Sequence, residues 1–234
     1  MIDWHSHILP AMDDGSQNAD ESVAMIKALA DQGIDTVIAT PHFYANDESV
    51  EEFLTRREIA YSTLKAKGYS EGVQIICGAE VKYYPGISRM ENLDKLTIGD
   101  SKLLLLEMPF AKWSEHTVKE LLELASMRGI RVVMAHIERY PALHDRRLLE
   151  TLINNGIQIQ VNASFFERFN TKRAAIKLLA SGYIHFIGSD CHNLTSRAPK
   201  ILPAYSLIQK KLGEEFTRQM NEYGARVLGY KSQI

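Results

Sequence analysis

Two short segments of the sequence each place two metal-ligand side chains two residues apart. The first is His5-Ser6-His7 near the start of the chain, and the second carries Asp190 and His192. Because residues i and i+2 of an extended strand project to the same side, each pair can chelate one ion. An isolated histidine is more often a structural residue than a ligand, so each pair is a weak signal until other ligands join it.

Residues of the same types follow several other apolar runs. Together with the two pairs they make nine candidate ligands: His5, His7, Asp14, His42, Glu80, Glu107, His136, Asp190 and His192. A structural explanation would have to account for every run separately, whereas one metal centre accounts for all of them. The pattern therefore predicts a metal site. The remaining histidines are expected to be surface or packing residues: His116, His144 and His185.

The charges of the candidate ligands indicate what the centre binds. Nine ligands, four of them carboxylates and five imidazoles, are too many for one ion and suit two or three divalent ions. Three such ions, four carboxylates and a bridging hydroxide leave a net positive charge, so a phosphate dianion would complete the site. Metal ions can polarise phosphoryl oxygens and generate a hydroxide nucleophile. Ligation without thiolate fits manganese, iron or zinc, and composition does not choose among them.

Two arginines follow the candidate ligands in the chain. Arg139 lies three residues after His136, and Arg197 lies five residues after His192. Guanidinium groups suit bidentate contact with phosphate, so both are predicted to bind the phosphoryl group of a substrate. The alternative is an ordinary surface arginine or a salt bridge.

The apolar runs and the helical patterns between them predict the fold that positions these groups. Seven strands are expected at 2–4, 35–40, 73–79, 102–107, 131–135, 157–161 and 184–188. Helices are expected at 20–32, 49–67, 115–128, 145–155 and 172–181, with two more near the C-terminus. This alternation predicts an α/β fold with a parallel sheet, most simply a seven-stranded TIM-like barrel. A doubly wound open sheet is the alternative, and in both folds function collects at the C-terminal ends of the strands.

Length and composition limit the remaining classes of function. The 234 residues are 45% hydrophobic, which suits a single domain over 1–234. A formal net charge of −2 gives no electrostatic case for nucleic acid or an anionic membrane. No apolar run approaches the roughly 20 residues that span a bilayer, and the start of the chain lacks a signal-peptide pattern. With only two cysteines and no disulfide framework, a cytoplasmic protein is expected.

Six segments carry a family resemblance. They are DWHSHILPAMDDGS, ATPHFY, GAEVKYY, LLLEMPF, MAHIERY and GSDCHN, which together extend from residue 3 to residue 193. The chain resembles the polymerase-and-histidinol-phosphatase (PHP) superfamily. More closely, it is similar to the manganese-dependent protein-tyrosine phosphatases of bacterial capsule and exopolysaccharide operons, the CpsB/CapC/YwqE-like group.

The resemblance implies a PHP fold, which is a distorted seven-stranded β/α barrel, with a trinuclear centre. It divides the ligands among three ions and shares Glu80 between two of them: His5, His7, Glu80 and Asp190; Glu80, Glu107 and His136; Asp14, His42 and His192. Asp13 competes with Asp14 for the last group, and the sequence does not separate the two. Arg139 and Arg197 match phosphate-binding arginines of the group.

The resemblance also implies a substrate. The group dephosphorylates the tyrosine-rich tail of a bacterial tyrosine kinase and so regulates polysaccharide synthesis. One alternative within the same fold is histidinol-phosphate phosphatase or another small-molecule phosphoesterase. A second alternative is a non-catalytic module with a structural metal, which the arginines and the number of ligands argue against. Sequence does not determine the partner kinase or whether the chain forms oligomers.

Cys191 is a departure from the family, which usually has alanine at this position. The segment from Cys191 to Arg197 matches Cys-x5-Arg, the signature of the cysteine-based tyrosine phosphatases. That chemistry needs a glycine-rich phosphate loop with a thiolate at a helix N-terminus. The five intervening residues contain no glycine, so a metal-dependent mechanism is expected instead.

Aromatic residues follow most of the candidate ligands. Several of them are expected to surround the mouth of the site and to pack on a tyrosyl ring: Phe43, Tyr44, Tyr83, Tyr84, Phe110, Trp113, Tyr140, Phe165, Phe166 and Phe169. Each could instead seal the top of the barrel, so the prediction concerns the set.

Overall fold

Parallel strands alternate with helices along almost the whole chain. The computed structural model describes residues 1–127 and 129–229. The strands are β1 (Ile2–Ser6), β2 (Thr36–Ala39), β3 (His42–Phe43), β4 (Gln74–Cys77), β5 (Glu80–Lys82), β6 (Leu103–Glu107), β7 (Arg131–Met134), β8 (Gln158–Asn162) and β9 (Phe186–Gly188). The helices are α1 (Ala19–Ala30), α2 (Val50–Lys67), α3 (Glu115–Ser126), α4 (Arg146–Asn154), α5 (Ser164–Glu167), α6 (Lys172–Ala180), α7 (Leu202–Leu212) and α8 (Glu214–Val227).

The strands form one sheet in the order β1-β2-β4 and another in the order β3-β5-β6-β7-β8-β9. All recorded pairings are parallel, which confirms the predicted α/β class. Neighbours follow chain order, without the reversal that a doubly wound sheet contains. The two sheets curl together so that the segment after β9 lies against β1. Asp190 N–H donates to His5 O at 2.7 Å, and His7 N–H donates to Cys191 O at 2.9 Å.

Two of the predicted strands are interrupted in the structure. The run at 35–40 ends at Ala39 and resumes as β3 after Pro41, whose nitrogen cannot donate to a ladder. The run at 73–79 ends at Cys77 and resumes as β5 at Glu80. Sequence analysis did not predict β3 or β5, because two or three residues are too few to show an apolar period.

The five helices predicted with bounds are confirmed to within two residues at each end, and α7 and α8 are the two expected near the C-terminus. Side-chain caps fix several of the starts, as in α2, where Ser49 and Glu52 form a capping box. Helix α3 ends at Ser126, earlier than the predicted 128, and residue 128 lies outside the described residues. The four-residue α5 was not predicted. No helix among the described residues is long and apolar enough to cross a membrane.

Both faces of the sheet are buried, as near-continuous apolar strands require. In β6, Leu103 and Leu105 join an inner cluster, whereas Leu104 and Leu106 join the outer cluster under the helices. The inner cluster includes Trp4, whose ring centroid lies 4.0 Å from that of Phe186. Burial of each such side chain contributes about 1.5–3 kcal/mol, so this packing holds the strand ends at fixed spacing.

A β-bulge in β1 changes the side of the strand on which its histidine side chains project. Asp3 pairs with Val37 and Ser6 pairs with Ala39, so three steps along β1 match two steps along β2. Such an extra residue reverses the alternation of the strand beyond it. Trp4 can therefore contribute to the inner cluster while His5, the next residue, also faces the interior.

Candidate metal centre

All nine predicted ligands lie at the carboxyl ends of the strands. Three groups have ligand atoms within 4.8 Å of one another: His7, Asp14, His42 and His192; His5, His7 and Asp190; and His42, Glu80 and Glu107. His136 joins them through Glu80, since its Nε2 lies 2.8 Å from Glu80 Oε1. The structure thus brings together every residue that the sequence selected from separate strands.

Glu80 lies at the middle of this cluster. Its Oε2 atom is 3.1 Å from both His5 Nε2 and His42 Nδ1, and 3.3 Å from His7 Nε2. Burial alone would raise the pKa of this carboxyl, but His5 and the neighbouring imidazoles hold it well below its usual range. Glu80 is therefore an ionised carboxylate whose two oxygens face different histidines, which suits a bridging ligand.

Asp190 accepts hydrogen bonds from both predicted phosphate-binding arginines. Arg139 Nη2 donates to Oδ2, and Arg197 Nη2 donates to Oδ1 at 2.8 Å. Oδ1 also lies 3.7 Å from His5 Nε2 and 3.6 Å from His7 Nε2. Burial opposes ionisation, but the charges of His5 and His7 hold the pKa of Asp190 below its ordinary value. The carboxylate thus connects the histidine cluster to the arginines.

Two ligand candidates have a left-handed backbone. The φ angle is 55° at Asp190 and 30° at His136. Neither residue is glycine, so each conformation costs free energy that the surrounding structure must supply. Each residue lies two positions after the end of a strand, and its side chain faces the cluster. Such strain is typical of functional positions.

The adjacent residues Asp13 and Asp14 have different surroundings. Asp13 Oδ2 lies 2.7 Å from His7 Nδ1 and accepts the His42 backbone N–H at 2.8 Å. Asp14 is 65% exposed, and its Oδ1 lies 3.4 Å from His192 Nε2. The Asp13 carboxylate therefore supports His7 from behind, while that of Asp14 faces into the cluster.

A supporting layer on β8 was not predicted. Gln160 Oε1 accepts the His136 backbone N–H at 2.6 Å and lies 3.4 Å from His5 Nδ1. Asn162 Nδ2 donates to Asp190 Oδ2 at 2.8 Å. The alternating polar residues of β8, Gln158, Gln160 and Asn162, are the signal that could have located this layer, since they share one face of a buried strand.

Lys82 is a further residue that sequence analysis missed. Its Nζ lies 2.9 Å from Glu107 Oε2 and 5.1 Å from the centre of the Phe110 ring. Glu107 Oε1 faces His136 Nε2 at 3.9 Å. One oxygen of Glu107 is therefore held by a lysine, and the other remains directed at the histidine cluster.

The donor atoms fit divalent cations. The buried imidazole nitrogens without a hydrogen-bond partner among the described residues include His42 Nδ1 and His192 Nε2. Each of these two faces a carboxylate oxygen, that of Glu80 at 3.1 Å and that of Asp14 at 3.4 Å. A cation between nitrogen and oxygen would satisfy both atoms, because neutral imidazole and carboxylate are the ligands that manganese, iron and zinc accept.

Cys191 lacks the surroundings of a nucleophilic thiolate. The residue is fully buried, and burial raises the pKa of its thiol far above the ordinary value. Residues 191–197 form no helix, and Asn193 Oδ1 accepts the Arg197 backbone N–H at 3.1 Å inside the loop. Among the described residues, this loop therefore provides no helix N-terminus that would lower the pKa of the thiol.

Only part of the predicted aromatic set surrounds the centre. Phe110 is 53% exposed with its ring 6.1 Å from that of His136, and Tyr44 lies 5.4 Å from His42. The expectation for Phe43 is wrong, because this side chain is fully buried against Phe53 in the core.

Most of the other predicted aromatic side chains are buried or make contacts away from the mouth of the site. Phe165 and Phe166 are buried, Tyr83 donates to Glu120 at 2.7 Å, and the Tyr140 hydroxyl accepts the Met108 N–H at 3.0 Å. Trp113 packs on Tyr140, Tyr84 is half-buried, and Phe169 is highly exposed.

The three remaining histidines lie where the sequence predicted. His116 and His144 are exposed. His185 is half-buried, and its Nδ1 accepts the Ile159 N–H at 3.1 Å. Burial lowers its pKa to about 4, so this ring is neutral and structural.

The sequence of this chain is similar to those of known proteins. Residues 1–228 match the family described as capsular polysaccharide synthesis, CpsB/CapC. Tyrosine-protein phosphatase CpsB of Streptococcus pneumoniae is 34% identical, over 94% of each chain. Tyrosine-protein phosphatase YwqE of Bacillus subtilis is 31% identical, over 95% of this chain and 89% of that one.

Solved structures agree with this relationship. A crystal structure described as YwqE from Bacillus subtilis and CpsB from Streptococcus pneumoniae, unique metal-dependent tyrosine phosphatases, superimposes with a TM-score of 0.79 at 27% identity, covering 100% of this chain and 96% of that one. Histidinol phosphate phosphatase of Lactococcus lactis shares the fold, with a TM-score of 0.55 at 16% identity over 89% of this chain and 92% of that one. From the match over nearly its whole length, the chain belongs to the CpsB/CapC family of capsular polysaccharide synthesis.

Proposed function

We propose that this protein is a metal-dependent protein-tyrosine phosphatase. The observation that carries the proposal is the contact of Arg139 and Arg197 with Asp190, at the edge of a buried cluster of metal-ligand side chains. Two guanidinium groups, which are suited to bind phosphate, thus lie beside the place where ions would lie. Family membership agrees, because the curated relatives are named tyrosine-protein phosphatases.

The proposed scaffold is a closed seven-stranded barrel in one domain over 1–234. Counting β2 with β3, and β4 with β5, as interrupted single strands reduces nine strands to seven. The hydrogen bonds between His5 or His7 and the segment after β9 support closure. Residues 128 and 230–234 lie outside the described residues.

The proposed centre holds two or three divalent ions, with manganese favoured by the family resemblance and iron or zinc as alternatives. His5, His7, Glu80 and Asp190 would hold one ion, Glu80, Glu107 and His136 a second, and Asp14, His42 and His192 a third. The distances around Glu80 and Asp14 support this division. When bound, such ions act as Lewis acids toward phosphoryl oxygens and lower the pKa of coordinated water.

The protein's own groups would bind and orient the phosphoryl group. Arg139 and Arg197 carry donors that suit two phosphoryl oxygens, and Asp190 holds both guanidinium groups in place. Asn162 fixes the Asp190 carboxylate from β8. These residues would thus align the phosphorus atom with the cluster, which is the positioning that phosphoryl transfer requires.

The substrate would be phosphotyrosine in a polypeptide, on the tail of a bacterial tyrosine kinase that controls capsular or exopolysaccharide synthesis. The site is open: Arg139 and Arg197 are 36% and 35% exposed. An open rim admits a tyrosyl side chain carried by a protein. Because kinases consume cytoplasmic ATP, the proposed substrate locates the protein in the cytoplasm. The proposal involves no nucleic acid and no insertion into a membrane.

Hydrolysis of histidinol phosphate is the alternative function. The fold is shared with a histidinol phosphate phosphatase, but identity of 16% shows the fold alone. Metal-stripped protein should be inactive, and manganese should restore hydrolysis of a phosphotyrosyl peptide far more than that of histidinol phosphate. A higher kcat/KM for histidinol phosphate would refute the tyrosine assignment.

A further inference from the structure

A groove between α4 and α6 has an apolar floor and a basic rim. It encloses about 400 Å³, and its floor includes Leu143, Leu149, Phe165 and Leu178. Its rim includes Lys177, and none of its lining residues, all within the described part of the chain, is an aspartate or a glutamate. We call this surface the α4–α6 groove.

The groove has two lining cations, Arg146 and Lys177, and only Arg146 is paired with an acid. Helix α6 has the sequence KRAAIKLLA, with three cations and no acid. Arg146 on the opposite side pairs with Glu150 at 2.9 Å, whereas Lys177 makes no ion pair with any described residue. Arg173, an exposed residue one turn before Lys177 on α6 and beside the lining, makes none with any described residue either. A ligand that brings carboxylates to these two side chains would gain attraction that the protein itself does not satisfy.

Two residues that line the groove lie close along the chain to residues of the proposed active site. Phe165 lies three residues after Asn162, the donor to Asp190, and Leu143 lies four residues after Arg139. Three residues span at most about 11 Å even when extended. A substrate residue three or four positions from the phosphotyrosine can therefore reach the groove while the phosphoryl group contacts the arginines.

We propose that the α4–α6 groove docks the segment of the substrate polypeptide beside the phosphotyrosine, and that this segment is acidic with one apolar or aromatic anchor. The inference rests on the proposed function and adds a substrate class to it. The anchor would enter the apolar floor, and the carboxylates would face Arg173 and Lys177. Selection of the polypeptide would then come from this groove, and the chemistry from the metal cluster.

Two matched peptides and one small substrate test this proposal. The acidic phosphotyrosyl peptide carries glutamates and one leucine near the phosphotyrosine, and its partner has glutamine at each glutamate. We expect a KM about tenfold lower for the acidic peptide, with similar kcat. Arg173→Glu/Lys177→Glu should abolish that difference and leave turnover of p-nitrophenyl phosphate unchanged.

Two further variants separate the apolar floor from general effects of charge. Ala174→Trp places a large side chain at the exposed edge of the groove, and it should raise KM for both peptides. Lys65→Glu/Lys95→Glu makes the same charge change at exposed lysines beyond the groove and should leave every KM unchanged.

A binding measurement keeps the test independent of catalysis. The acidic peptide without phosphate should bind the metal-loaded protein, with a Kd about tenfold higher in Arg173→Glu/Lys177→Glu. Equal binding of the acidic and glutamine peptides to wild type, or unchanged binding in the variant, would overturn the groove proposal. So would self-association that Ala174→Trp abolishes without altering peptide binding, since the occupant would then be a second copy. Failure of all phosphotyrosyl hydrolysis with peptide binding intact would instead refute the proposed function.

Discussion

Asp13 Oδ2 lies 2.7 Å from His7 Nδ1, and this contact distinguishes the two neighbouring aspartates. A carboxylate only accepts hydrogen bonds, so His7 Nδ1 donates to Asp13, and this contact points Nε2 toward Glu80 at 3.3 Å. Asp14 instead faces His42 and His192 with an exposed carboxylate. Asp13 is thus suited to orient a ligand, and Asp14 to be one.

The first prediction follows from that difference. Asp13→Asn should keep the full number of bound ions at saturating metal but weaken metal affinity by about 10–100-fold, as loss of an orienting carboxylate does. Asp14→Asn should lower the number of bound ions. Metal titration with elemental analysis measures both quantities. Loss of an ion in Asp13→Asn with a full complement in Asp14→Asn would reverse the assignment.

The second prediction concerns the arginines that meet at Asp190. Arg139→Ala and Arg197→Ala should each retain the metals and lose about 1.5–3 kcal/mol of phosphoryl binding, which is about 10–150-fold in kcat/KM. Arg218→Ala, at an exposed pair on α8, is the control and should behave like wild type. If Arg139→Ala and Arg197→Ala both have the kcat/KM of Arg218→Ala, the two arginines do not bind phosphate.

The third prediction tests the mechanism against a thiol nucleophile. A chelator should abolish turnover, and Cys191→Ala should keep most of it, because the buried thiol stays protonated at neutral pH. Cys77→Ala is a control for general loss of a thiol. Activity that survives the chelator and disappears in Cys191→Ala would establish cysteine chemistry instead.

Much of the centre could be predicted from sequence, for a specific physical reason. His5, Glu80 and Asp190 are residue types that rarely lie at buried strand ends without a ligand, so their repeated occurrence is informative. Gln160, Asn162 and Lys82 also contact the centre, but their residue types alone do not indicate a metal, and only the polar alternation along β8 marks the first two. The breaks before β3 and β5, and the bulge in β1, depend on pairing between distant segments that local periodicity does not report.

The fourth prediction uses His185, which is buried as the neutral ring. Its folded pKa is about 4 against an ordinary value of 6.5, so between these values the unfolded chain binds a proton that the folded chain lacks. Stability is therefore lost as pH falls through this window, by up to about 3 kcal/mol below it. His185→Asn keeps an acceptor for the Ile159 N–H and should flatten that dependence. Urea unfolding at several pH values above and below the window measures the free energy of unfolding of both proteins. The same pH dependence of that free energy in wild type and in His185→Asn would contradict the prediction.

The last prediction concerns selectivity for tyrosine. Phe110 and Tyr44 are the aromatics of the predicted set that are both exposed and stacked on candidate ligands, His136 and His42. A tyrosyl ring between them would gain about 0.5–1.5 kcal/mol from each contact, which a phosphoseryl side chain cannot make. Wild type should therefore prefer phosphotyrosyl over phosphoseryl peptides of equal charge in kcat/KM.

Phe110→Ala should narrow this preference by about 2–12-fold with little loss of stability, because the ring is 53% exposed. Phe169→Ala removes an even more exposed ring, 87% exposed, and should leave the preference unchanged. Phe43→Ala should instead destabilise the fold by about 3–5 kcal/mol, since Phe43 packs in the core and not at the mouth. Equal kcat/KM for the two peptides in wild type would remove the basis for tyrosine selectivity, because the exposed rings would then make no contact that depends on the substrate side chain.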